Sequence, residues 1–202
     1  MSKVVVINHL TLDGVMQAPG RPDEDRRDGF AHGGWARGAA DDPDVGRAMG
    51  ERMAQAGSLL LGRRTYEDFH GFWPNQKDNP FSAVLDSVQK YVASTTLQEP
   101  LPWTNSTLLA GDAADAVAGL KAQPGKDLGI LGSGQLVQSL MRRDLVDEYV
   151  LMIHPLVLGS GRKLFPDGGT FAALRLVDSA TTSAGIVIAT YRPAEPTATT
   201  AP

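Results

Sequence analysis

The chain has 202 residues, no cysteine, 42% hydrophobic and 21% charged residues, and a net charge of -4 from 19 Lys plus Arg against 23 Asp plus Glu. That length suits one domain with a sizeable core. The charge balance disfavours overall attraction to nucleic acid or an anionic membrane, and the lack of cysteine excludes disulfides, thiolate metal sites and a cysteine nucleophile.

In chain order, Met1-Ser2-Lys3 leads directly into Val4-Val5-Val6-Ile7, a strand through Asn8 that is too short for a signal peptide or membrane span. A cytoplasmic location is expected by default. The stretch that follows contains Asp13-Gly14, Pro19-Gly20, Gly29, Gly33-Gly34 and Gly38. A loop of this length inside a domain is usually functional or disordered, and Phe30 and Trp35 argue against pure disorder. It reads as a mobile active-site segment, with an elaborate surface loop as the plainer alternative. Asp42-Pro43-Asp44 then supplies a cap, a proline at the first helical position and an acidic first turn, ahead of Val45, Met49 and Met53 at helical spacing.

Ser58 to Leu61, Lys90 to Ala93, Thr107 to Ala110 and Leu128 to Leu131 read as short strands, and Glu148 to Ile153 as a longer one. Asp112 caps an alanine-rich helix that stops near Gln123, before Pro124-Gly125. Another helix spans Ser133 to Arg143, with Arg142 and Arg143 at the end where cations are favoured. Asp178 to Thr182 and Ile186 to Tyr191, separated by Ser183-Ala184-Gly185, form an expected antiparallel hairpin at a sheet edge. Residues 193–202 have little to bury and read as a disordered tail, leaving 1–192 as the domain. Apolar strands alternating with helices predict an α/β fold, with a mostly parallel sheet covered on both faces.

Two strand-to-helix junctions carry chemistry. Leu59-Leu60-Leu61-Gly62-Arg63-Arg64-Thr65-Tyr66 and Leu128-Gly129-Ile130-Leu131-Gly132-Ser133-Gly134-Gln135-Leu136 each run from apolar strand through glycine into a helix start. Such a start presents unpaired N–H groups and the positive end of the helix dipole to an anion. Arg63 and Arg64 stand where a cation costs roughly 0.3–1 kcal/mol, so a negative ligand is expected to offset them. A dinucleotide with a pyrophosphate and an extra ribose phosphate carries enough charge for both sites. The same junctions also read as ordinary tight turns, with both arginines in water.

Taken in order, the Leu12-Asp13-Gly14 opening, the Gly62-to-Glu67 junction, the Gly132-to-Leu136 junction and the His154-to-Gly161 segment resemble the dihydrofolate reductase superfamily. The branch containing the reductase domain of bacterial riboflavin biosynthesis is the nearest. The resemblance extends to about Arg192 and implies a single-domain dihydrofolate-reductase-like fold with antiparallel C-terminal strands. It also implies hydride transfer from NADPH to a small heterocycle, pterin-like or pyrimidine-like, and a homodimer. By motif position it places Arg63 on the adenosine 2′-phosphate and Thr65 on the pyrophosphate, with Gly62 at the turn and Arg64 as an additional contact. Ser94 and Thr95 fall on the adenosine side, and Gly132, Ser133, Gly134, Gln135 and Leu136 on the pyrophosphate. Gln135 departs from the pattern, because pterin reductases often place a second cation there.

Val137 stands where a Rossmann fingerprint needs its last glycine, and Gly159-Ser160-Gly161-Arg162-Lys163 lacks triphosphate-loop spacing. For the reacting end, Asp13, Asp44 and Trp35 are the candidate catalytic residues, with Asp41 and Asp42 beside Asp44 and Trp73 as a second aromatic. Helix capping accounts equally for the three aspartates at 41–44, turn chemistry for Asp13 and packing for the tryptophans. His9, His32, His70 and His154 show no metal-ligand spacing, and no metal site is expected. The alternative to a reductase is a non-catalytic NADP(H)-binding or sensing protein.

Overall fold

Val4-Val5-Val6-Ile7, Leu59-Leu60-Leu61 and Ile130-Leu131 have no polar position in alternation, so each must be covered on both faces. In the computed structural model, which describes residues 1–39 and 42–195, these segments are the centre of one eight-stranded sheet. The strands are β1 (Val4–Thr11), β2 (Ala56–Gly62), β3 (Gln89–Ala93), β4 (Ser106–Leu109), β5 (Asp127–Leu131), β6 (Glu148–His154), β7 (Leu174–Thr181) and β8 (Val187–Pro193). Their order is β4-β3-β2-β5-β1-β6-β8-β7. All pairings from β4 to β6 are parallel, and β8 joins β6 and β7 antiparallel.

Among the described residues five α-helices cover the sheet: α1 (Pro43–Gln55), α2 (Arg63–Phe72), α3 (Pro80–Ser87), α4 (Ala113–Ala122) and α5 (Gly134–Met141). Side-chain alternation sorts the core into two layers. Val4, Val6, Leu60, Leu128 and Ile130 pack with Ala114 and Val117 of α4 and Leu136 and Leu140 of α5. Val5, Ile7, Leu59 and Leu61 pack with Val45 and Met53 of α1, Tyr66 of α2 and Leu85 of α3. Each such buried aliphatic side chain contributes about 1.5–3 kcal/mol. Glu148, buried at the start of β6, accepts from Arg52 of α1 at 2.7 Å and from Arg192 of β8 at 2.8 Å.

The sheet and its helices match the α/β expectation, including the antiparallel C-terminal strands. Differences lie at the margins. β7 begins at Leu174 rather than Asp178, and α3 is an element the sequence reading did not include. β8 continues through Pro193 and the Ala194 N–H donates to the Ala173 carbonyl, so ordered backbone extends past Arg192; residues 196–202 lie outside the described residues. The long segment between β1 and α1 has a small core of its own, Val15, Ala18 and Phe30, and a bridge from Val15 to Lys163. Gln17 ties it together, donating to the Asp25 and Arg27 carbonyls and accepting from the Arg162 N–H at 2.9 Å.

Candidate functional site

β2 and β5 are neighbours in the sheet, yet α2 leads from β2 outward to β3 while α5 leads from β5 across β1 to β6. Their carboxyl ends therefore form a switch point, the place where open parallel sheets bind ligands. A cleft of about 1290 Å³ opens there. Gly62, Arg63, Arg64, Thr65, Ser94, Thr95, Gly132, Ser133, Gly134, Gln135 and Leu136 all line it, so one surface gathers every residue expected to meet the cofactor.

The two glycine junctions are bonded to each other. The Gly62 N–H donates to Ser133 Oγ at 3.0 Å, and the Ser133 N–H donates to Thr65 Oγ1 at 3.0 Å. Ser133 Oγ also donates to the Leu131 carbonyl at 2.9 Å, which offsets the strain of a left-handed serine at φ 52°. Gly132 is left-handed too, at φ 56°, and a Cβ there would lie 3.1 Å from the Thr65 side chain. Asn8 of β1 fixes this turn from the other side, accepting from the Gly132 N–H at 2.7 Å and donating to its carbonyl at 3.1 Å. Ser94 is similarly occupied, its Oγ accepting from the N–H groups of Thr96 and Leu97, whereas Thr95 is exposed.

Capping separates the helices by role. Asp42, Asn79 and Asp112 cap α1, α3 and α4 with side-chain oxygens, while α2 and α5 have no side-chain cap. Of the helices that start at the cleft, α4 has its first N–H groups taken by Asp112, whereas those of α2 and α5 are left for a ligand. Arg63 is half-exposed and 3.1 Å from Glu67, a weak surface pair; Arg64 is exposed and has no ion-pair partner among the described residues.

The three residues expected at the reacting end lie elsewhere. Asp13 accepts from the N–H groups of Leu158 and Gly159 at 3.2 and 2.8 Å, joining two loops away from the cleft lining. The Thr11 hydroxyl, with those N–H groups, holds its carboxyl below the usual range, which suits a fixed acceptor. Asp44 is on the exposed first turn of α1, 2.8 Å from Arg47. Trp35 donates its indole N–H to the Gln17 carbonyl at 2.7 Å and stands edge-on to His154, a packing role. Asp42 is the α1 cap, and Asp41 lies outside the described residues. Trp73 does line the cleft, with Met49, Phe69 and Phe81.

Other groups occupy the space instead. Arg21, from the long segment, pairs with Asp68 of α2 and stacks 4.1 Å from the centre of the Phe72 ring, while Arg27 pairs with Asp25. Glu24 accepts from the N–H groups of Gly20 and Arg21; burial pushes both Glu24 and Asp68 above the usual carboxylate range. On the sheet itself, His9 reaches the cleft, and its Nδ1 is 2.9 Å from Nε2 of the buried His154. Burial, then repulsion from His154, pushes His9 down to about 4, and burial lowers His154 as well. Sequence reasoning overlooked Asn8, Gln17, Arg21 and Asp68 and treated His9 and His154 as unrelated. A signal was present: Asn8-His9 are consecutive polar residues directly after the apolar run Val4-Val5-Val6-Ile7 of a central strand.

Among the described residues, no cluster of three or more His, Asp or Glu could hold a metal, and no helix is long and apolar enough to cross a membrane. The family model for the RibD C-terminal domain matches residues 2–188. The chain is 32% identical over 173 residues to the uncharacterized protein YyaP of Bacillus subtilis, spanning 81% of this chain and 88% of that one. It is 29% identical over 124 residues to YwjB of the same organism, itself uncharacterized, spanning 59% and 64%. Among solved structures, a Shewanella sp. PV-4 protein assigned provisionally to riboflavin biosynthesis superposes with a TM-score of 0.68 at 21% identity, covering 96% and 99% of the two chains. A pyrimidine reductase-like protein of Corynebacterium diphtheriae gives 0.61 at 13% identity, covering 96% and 92%. Dihydrofolate reductase of Enterococcus faecalis, complexed with NADP(H), gives 0.59 at 13% identity, covering 96% and 97%.

Proposed function

The chain belongs to the RibD C-terminal domain family, and from that membership we propose that it is an NADPH-dependent reductase of a small heterocycle, pterin-like or pyrimidine-like. The fold is one that reductases use. The observation that carries the proposal is the pair of uncapped helix starts, α2 and α5, hydrogen-bonded to each other through Gly62, Thr65 and Ser133 on one cleft.

The residues present fit a dinucleotide. Gly132 leaves space that a Cβ would take from Thr65, the first N–H groups of both helices are unclaimed by side chains, and Arg63 and Arg64 supply positive charge beside them. When bound, NADPH supplies a hydride. Arg63 and Arg64 favour the form with the additional phosphate, because a guanidinium grips a phosphate in a bidentate, charge-assisted way. Gln135 adds no charge, so the preference rests on these two residues. Met49, Phe69, Trp73 and Phe81 provide an apolar wall against which a flat ring can exclude water. Arg21, pairing with Asp68, draws the long segment onto α2 beside that wall. The same reading includes a homodimer, supported by the uncovered C-terminal edge of the sheet, and a location in the cytoplasm.

A thermal-shift titration tests the cofactor. At 100 times its dissociation constant a ligand adds about 2.7 kcal/mol, which raises the midpoint of a domain this size by roughly 5–10 °C. NADPH is expected to give such a shift and NADH a smaller one at equal concentration, and Arg63→Ala to weaken NADPH more than NADH. Equal loss for both removes the 2′-phosphate assignment; no shift with either nucleotide removes the reductase proposal. Turnover, as opposed to binding, is read from NADPH oxidation with pterins and pyrimidines, and binding without turnover on any of them favours the sensing alternative.

A further inference from the structure

His9 and His154 are 145 positions apart and form a direct imidazole pair at the carboxyl end of the sheet. Alternation along β1 puts His9 on the same face as Ile7, the face whose core includes Met49, Phe69, Trp73 and Phe81. All four of those residues, and His9 itself, line the cleft. His9 Nδ1 is taken by His154, and His9 Nε2 has no hydrogen-bond partner among the described residues. The nearby cleft carboxylates are engaged: Asp68 by Arg21, Asp25 by Arg27, and Glu24 by the N–H groups of Gly20 and Arg21.

We propose that His9 is the residue that meets a flat, uncharged ring edge at the reacting end of the cleft, through Nε2, and that His154 is the positioning residue behind it. This rests on the dinucleotide reading of the cleft. With the hydroxyls that follow β3 on the adenosine side and the phosphates at the β2 and β5 junctions, the remaining end of the ligand extends toward β1. That is three strand steps, about 14 Å, from β3.

The chemistry of the pair selects the kind of group it meets. In the neutral pair each imidazole carries one N–H, and one of those two protons bridges the rings. With the bridging proton on His154, His9 presents Nε2–H, a donor; with it on His9, Nε2 presents a lone pair. Such a group suits an edge that carries both carbonyl and N–H, as an amide-bearing ring does, and lacks the fixed positive charge that a carboxylate or phosphate would draw. Burial, which holds both rings below the ordinary histidine range, and repulsion from His154, which lowers His9 further, agree with a neutral pair. Trp35, edge-on to His154 with centroids 5.1 Å apart, restrains the second ring from behind.

Two sources have this chemistry, the dihydronicotinamide of NADPH and a heterocyclic substrate, and side-chain nitrogen NMR of histidine-labelled protein separates them. Three samples are compared with the free protein: saturating 2′,5′-ADP, saturating NADPH, and 2′,5′-ADP with added lumazine, a neutral pteridine. The His9 resonance is expected to stay in place with 2′,5′-ADP and to move with NADPH if the cofactor ring is the source, or with lumazine if the substrate is; His32 and His70 stay in place throughout. His9→Gln and His154→Gln are each expected to weaken the ligand that moved His9 about fivefold or more, with 2′,5′-ADP affinity unchanged. A His9 resonance unmoved by both ring-bearing ligands, while fluorescence shows NADPH bound, overturns the proposal and leaves the cofactor reading intact. If neither NADPH nor 2′,5′-ADP binds, the cofactor reading has failed and this proposal falls with it.

Discussion

The bridge between His9 Nδ1 and His154 Nε2 has a cost that pH exposes. Burial and the neighbouring ring hold His9 at about 4 in the folded protein, against 6.5 for the free side chain. Between those values the unfolded chain binds a proton that the folded chain refuses, so stability present above pH 6.5 is lost as the pH falls toward 4. For a partly exposed ring the loss is about 2 kcal/mol. Urea midpoints at pH 6.5 and pH 4.5 should therefore converge in His9→Gln relative to the unaltered protein. An equal acid loss in both would mean that the carboxylates alone set the pH dependence. The residues at the glycine junctions were legible in the sequence because a short local pattern, apolar strand to glycine to helix start, carries its own physical reason. His9 with His154, and Asn8 with Gly132, were not, since each contact joins distant segments and exists only once β1 lies between β5 and β6. Asp13, Asp44 and Trp35 show the converse. Their residue types suit catalysis, but a turn, a first-turn ion pair with Arg47 and loop packing use them first.

Among the elements, α3 and β3 depend on one buried cation. The Lys90 ammonium donates to the Leu85 and Val88 carbonyls at 2.7 and 2.8 Å, where α3 ends, and lies 4.5 Å from the centre of the Trp103 ring. Burial pushes Lys90 down to about 8, which leaves it charged at neutral pH and suited to the negative end of the helix. Lys90→Met keeps much of the apolar stem but leaves both carbonyls without this donor, and should cost about 2–3 kcal/mol. A denaturant midpoint lowered with an unchanged slope is the expected signature, and an unchanged midpoint would show that the carbonyls find other donors. The sequence signalled elements wherever a cap or an apolar run was strong, as at Asp42-Pro43 and Leu59-Leu60-Leu61. α3 had such a signal in Asn79-Pro80, with Asn79 Oδ1 accepting from the Phe81 N–H at 2.9 Å, but its eight residues are too few for periodicity to stand out. The start of β7 was hidden for another reason: Leu174–Val177 follow a glycine-rich loop, and the strand is exposed along most of its length, so no buried face imposes a pattern.

For the molecule as a whole, that exposure is the feature the fold of one chain leaves unexplained. β7 ends the sheet with Leu176 54% exposed and Val177 also accessible, and the adjoining loop carries Phe171 in solvent. An edge strand can associate by adding another strand or by packing its face. The break in register between Leu176 and Asp178, with the charges of Arg175 and Asp178, makes the edge a poor template for strand addition. Leu176 pairs with Tyr191 and shares its side of the sheet, where Leu174 and Tyr191 pack on the core, so a partner lying on that face would extend an existing apolar surface. Association through that face is therefore the form the proposed homodimer takes. Light scattering after gel filtration should give twice the 21.5 kDa chain mass, and Leu176→Asp should shift it toward the monomer while leaving NADPH affinity within about twofold, because the cleft lies at β1, β2, β3 and β5. A monomeric mass for the unaltered protein removes the homodimer, and a dimer that survives Leu176→Asp moves the contact away from β7.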